Sequence, residues 1–179
     1  MNDNDILAII IGILEAGFVA MSLPSVVVAQ NYQPTPQGIE NAPTIYIHKL
    51  SAGRYGYPGQ KSVFNAGDGD FDTTDSIWRL PSFQISGLSV QDPSDIASLT
   101  ASDIVETAAD ILQFPATRQT LLASDIGIFR IQNIREVYFS DDRDRFEQEP
   151  SFDFELSYLK TFTSKTQRVT AQRAEISRV

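Results

Sequence analysis

The clearest pattern in the chain is an alternation toward its C-terminal end. Phe152, Phe154, Leu156, Tyr158 and Phe162 fall on one parity, interrupted only by Lys160. Asp153, Glu155, Ser157, Thr161 and Thr163 fall on the other, with Leu159 the exception. Successive side chains of a strand face opposite ways, so this stretch predicts a strand with one apolar and one polar face. Burying its five large apolar side chains is worth roughly 8–15 kcal/mol as an upper value. A slip of one residue would turn the aromatic row to water, so the register is firmly specified. Ile128 to Phe139, rich in Ile, Val, Tyr and Phe, predicts the preceding, central strand. Ser140 to Arg145 is too polar for a core and reads as a charged loop between the two.

Helical spacing appears in three places. Ile6, Ile9, Ile10, Ile13 and Leu14 predict a helix from Asp5 to about Ala20, capped by Asp3 or Asn4. Ala8, Gly12, Ala16 and Ala20 recur every fourth residue and form a thinner face suited to close packing. Ile104, Ala108, Ile111 and Leu112 predict a second helix over Asp103–Phe114, and Ala116–Ala123 a third, with Gly127 marking the turn into the central strand. Asp92-Pro93-Ser94-Asp95 carries a helix-start signature. Ser25–Gln30, Ala42–Leu50 and Ser76–Val90 predict strands, the last broken at Pro81. Asn31 to Gly38 reads as a loop. Ser51 to Thr74, rich in glycine and polar residues, reads as largely irregular, with one short strand at Ser62–Asn65. The sum is an α+β fold: a mostly antiparallel sheet with helices on its apolar face.

The order of these elements carries a family resemblance. A helical segment over Ala116–Ala123 precedes Gly127 and a strand holding Arg135-Glu136-Val137. A charged linker, Phe146-Glu147-Gln148 and then Ser151 to Tyr158 follow. From roughly Asp103 to Val169 this resembles the C-terminal half of tail terminator, or neck terminator, proteins of tailed bacteriophages. The resemblance implies a structural virion protein, assembled in the host cytoplasm, that forms a ring, usually a hexamer, on the tail tube. It implies the tail tube protein and the neck or connector proteins of the head as partners. DNA would pass through the channel without specific binding, and neither a cofactor nor a catalytic site is required.

Composition sharpens this in two ways. The net charge of −9 disfavours wrapping nucleic acid, whose phosphates would be repelled. The charge is also segregated. Lys165, Arg168, Arg173 and Arg178 against Glu175 give Ser164–Val179 a net +3, which leaves −12 on the rest. The chain therefore divides into one domain over residues 1–163 and a basic arm over 164–179 that suits an acidic neighbouring surface. The absence of cysteine excludes disulfides and thiolate metal sites.

Candidate chemistry is sparse. Asp68, Asp70 and Asp72 occupy positions 1, 3 and 5 of a calcium loop, but Thr73 and Arg79 stand where Gly and Glu are needed. Gly56 to Ser62 lacks the Gly-Lys-Ser order and the following helix of a phosphate loop. His48 is the only histidine, and no nucleophile elbow accompanies it. The expectation is no catalytic, cofactor or metal residue. The alternative is a soluble ligand-binding or enzymatic domain in which the Asp68–Asp72 loop and His48 converge. A further alternative anchors Ile6–Met21 in a membrane, against which stand the acidic N-terminus and Glu15. Arg54-Tyr55-Gly56-Tyr57-Pro58 reads as an exposed contact loop, since Tyr and Arg give large contact area at modest entropic cost.

Overall fold

The computed structural model describes residues 2–30, 42–89, 98–136, 138–140 and 146–167. The chain order is α1 (Asp3–Ala20), β1 (Val27–Gln30), β2 (Thr44–Asn65), β3 (Asp70–Leu88), α2 (Ala101–Gln113), α3 (Pro115–Ala123), β4 (Ile126–Ile131), β5 (Tyr138–Ser140), β6 (Phe146–Gln148) and β7 (Ser151–Thr166). A five-stranded sheet runs β1-β2-β3-β7-β4, and β5 with β6 forms a separate two-stranded pair. Among the described residues only β1 and β2 pair in parallel within the sheet. The architecture is the α+β class that the alternation implied.

The core forms where the helices cover one sheet face. Ile45 and Ile47 from β2, Phe83 and Ile85 from β3, and Phe152, Phe154 and Leu156 from β7 meet Ile104, Val105, Ala108 and Ile111 from α2. From α1, Ile6, Leu7, Ile10, Leu14 and Phe18 enter the same core. Close approach depends on two glycines. A Cβ on Gly17 would lie 2.4 Å from Ile111 Cγ2, and one on Gly87 would lie 2.4 Å from Val105 Cγ2 and 3.1 Å from the Ala101 carbonyl oxygen. Gly87→Leu should therefore cost about 1–3 kcal/mol through overpacking. The check is the urea midpoint, which should fall at unchanged slope. An unaltered midpoint would mean that α2 does not sit this close to β3.

Several expectations need correction. The segment from Ser51 to Thr74 is not irregular: β2 and β3 run through it as one long hairpin, closed by a tight turn with Gly69 at φ 74°. Its glycines and both-sided exposure hide the strand from the sequence pattern. Pro81 does not break β3. It pairs with Ala52, while β3 skips its bonding to β7 between Arg79 and Ser82. The strand expected over Ile128–Phe139 is β4, which ends at Ile131 and lies at the sheet edge, not at its centre. Gly127 pairs with Ser157 inside β4, and the turn before it is made at Asp125, whose φ is 57°. Four of the five apolar side chains on β7 are buried, but Phe162 is 56% exposed because β7 outruns the helices.

The helix ends also differ in detail. α1 begins at Asp3 with Asn2 as its cap, in a capping box with Asp5. Ala8, Gly12, Ala16 and Ala20 face outward, and Gly17 makes the close contact instead. α2 is capped by Thr100, whose hydrogen bonds hold the Asp103 carboxyl below the usual carboxylate range. The loop expected at Asn31–Gly38, the Asp92 helix start, the charged residues 141–145 and the arm beyond residue 167 lie outside the described residues.

Candidate assembly interface

Beyond the helices, β2, β3 and β7 continue together as a three-stranded arm. Its register runs from Arg54↔Arg79↔Tyr158 out to Phe64↔Phe71↔Thr166. At the rise of an extended strand, the arm projects about 30 Å. Among the described residues no strand pairs with the outer edge of β2 past Ile47 or of β7 past Tyr158.

Small cross-strand contacts hold the arm in shape, because among the described residues no core lies beneath it. Ser62, Thr73 and Thr166 link their hydroxyls at 3.0 Å each, and Thr74 meets Thr163 at 3.2 Å. Gln60 donates to Asp75 at 3.1 Å and Asn65 to Asp72 at 3.1 Å. Lys165 pairs with Asp68 at the turn, so β7 is pinned up to the described C-terminal end. Phe64 and Phe71 meet edge to face, with centroids 5.4 Å apart. Such pairs contribute roughly 0.2–1 kcal/mol each, enough to define a register but little more.

What the arm presents is aromatic and apolar surface on both faces. On the face turned away from the helices, Tyr55, Trp78 and Leu159 stand in one row across three strands. They are 68%, 48% and 44% exposed. Tyr57 projects fully from the adjacent bulge, where Gly56 takes φ 71°. The Arg54–Pro58 stretch is thus exposed, as a bulged strand instead of a loop. On the opposite face Phe64 and Phe162 are half exposed, with the Lys160 ammonium 5.2 Å from the Phe162 ring centre. Each such side chain offers about 1.5–3 kcal/mol if a partner covers it fully.

The residues of the alternative chemical reading do not meet. Asp68, Asp70 and Asp72 lie at the arm tip, engaged with Lys165, the strand ladder and Asn65. His48 pairs with Gln84 near the base, seventeen residues along β2 from Asn65 or on the order of 50 Å. Among the described residues no group of His, Asp and Glu could hold a metal ion. None of the helices there is long and apolar enough to cross a membrane, and the apolar stripe of α1 is spent on the core.

The folded body thus extends a three-stranded sheet with exposed aromatic side chains. Residues 5–168 match the family model described as E217 gateway protein gp29, and the chain belongs to that family. This is a family of phage head–tail gateway, or neck, proteins, so the chain is a structural protein of the virion's head–tail junction. No curated protein matches it. The sequence signal of the arm is the hydroxyl- and aromatic-rich run on both sides of Asp68.

Proposed function

We propose that this subunit closes a ring in the neck of a tailed phage, between the connector of the head and the tail tube, and that the β2-β3-β7 arm supplies its main contacts. The observation that carries the reading is the arm itself, uncovered on both faces among the described residues and lined with Tyr55, Trp78, Leu159, Phe64 and Phe162. Membership in a gateway family supports the location. A ring needs two unlike surfaces on each subunit, joined head to tail until the rotation closes. An arm and a helical body provide two such unlike surfaces. Six copies is the order implied by the resemblance to tail terminators, as is the capping of the tail tube. The acidic body suits DNA that slides past without adhering. No step of this role requires a cofactor or a catalytic group.

The test is electron microscopy of the purified protein together with antibody labelling of virions. Closed rings and label at the neck support the proposal. A monomer at every concentration, or label elsewhere on the particle, would refute it.

The basic residues of the C-terminal tail are proposed to dock on the neighbouring subunit. β7 continues through Thr166, so the informative truncation lies after Gln167, which leaves the strand intact. The truncated chain should remain folded by circular dichroism and show less oligomer by sedimentation velocity. The deficit should be greatest at low salt, where attraction is least screened. Assembly equal to that of the full chain at every salt concentration would show that the tail takes no part.

A further inference from the structure

The sheet face on the helix side becomes cationic where the arm leaves the body. Arg54 stands directly opposite Arg79, and Lys160 lies diagonally across β7 on the same face. Like charges placed on neighbouring strands destabilise a sheet unless something anionic completes them. Among the described residues Arg54 and Arg79 have no acidic partner. The Nε of Arg79 is buried without a hydrogen-bond partner. A hollow of about 190 Å³ opens there, lined by Lys49, Arg79, Tyr158 and Lys160 with Asp3. Among the described residues its one carboxylate, that of Asp3, is already held by Lys49 at 2.6 Å.

The complementary surface lies on α2. Asp103, Glu106 and Asp110 recur at helical spacing and are exposed, and neither α1 nor α2 contains a Lys or Arg. Glu106 and Asp110 are a like-charged pair at i, i+4, which weakens an isolated helix. Neither has an ion-pair partner among the described residues. The dimensions agree. From Asp103 to Asp110 the helix rises about 10 Å, and three adjacent strands span about 10 Å. One chain cannot bring its own α2 stripe onto the arm root, because α2 packs on β3 at Gly87 on the body.

We infer that the cationic root of the arm, Arg54, Arg79 and Lys160, receives the acidic α2 stripe of a second copy. The contact is head to tail, so it deepens the ring proposed above and rests on it. Both self-repelling rows are neutralised in one interface. Charge of this kind sets register and encounter rate in a contact whose area comes from the aromatic arm.

The experiment uses two full-length variants. One carries Arg54→Glu with Lys160→Glu, and the other carries Glu106→Lys with Asp110→Lys. Each alone should keep the wild-type circular dichroism and lose assembly by a factor on the order of ten or more in sedimentation velocity. Mixed one to one, they should assemble again, because each cationic surface then meets an acidic one, and an even-numbered ring closes by alternation. Should the Lys160 change disturb folding, Arg54→Glu alone carries the same expectation. Variants that assemble alone as wild type does, or a mixture that stays dissociated, would overturn the pairing while leaving the ring intact. A wild-type chain that never assembles would instead refute the ring.

Discussion

Phe154→Ala should lower the free energy of unfolding by about 3–5 kcal/mol, the range for an aromatic removed from a close-packed core. Phe154 is fully buried near the start of β7. Its ring stacks on that of Phe83 with centroids 5.6 Å apart, and it lies 6.2 Å from that of Phe152. Truncation removes these ring contacts and leaves a gap in a close-packed core. Phe162→Ala is the matched control. It shares parity with Phe154 but lies beyond the helices, half exposed, and its removal should change stability by less than about 0.5 kcal/mol. Urea denaturation reads both. Equal losses for the two would mean that the helices cover the whole length of β7.

The second large effect is on assembly. Tyr55→Ala and Trp78→Ala should each weaken subunit association by at least about 2 kcal/mol, or roughly 30-fold, as buried aromatic anchors do. The two side chains are cross-strand neighbours on an outer face and take no part in the hydrophobic core. The isolated subunit should therefore keep its circular dichroism and lose no more than about 1 kcal/mol of stability, the scale of one cross-strand pair. Sedimentation velocity gives the association and denaturation gives the fold. If both variants associate like wild type, the outer face of the arm is not an anchor.

The body of this fold was legible in the sequence, and the arm was not. Phe152 to Tyr158 announce themselves because one face is buried, which forces an alternation of period two. Ile104, Ala108 and Ile111 do so because a helix buries one stripe. Among the described residues the arm strands lie over no core, so nothing there constrains Lys61–Asn65 or Asp70–Ser76 to alternate by polarity. What holds them is hydroxyl and amide pairing across strands, for which no periodicity exists. Gly56, Gly59 and Gly69 looked like loop signals, yet two of them sit within or beside a bulge of β2 and the third closes the hairpin turn. The Arg54–Pro58 stretch was readable as a contact surface from its residue types alone. Its setting in a long strand, and its alignment with Trp78 and Leu159, required the register.

The arm is proposed as the surface by which this subunit joins the head–tail junction. Cryo-electron microscopy of that junction in intact virions tests it most directly. Tyr55, Trp78 and Leu159 should lie within van der Waals contact of a neighbouring chain on every copy. Density in which the arm stands free in solvent, with the subunits joined only through their helices, would contradict it.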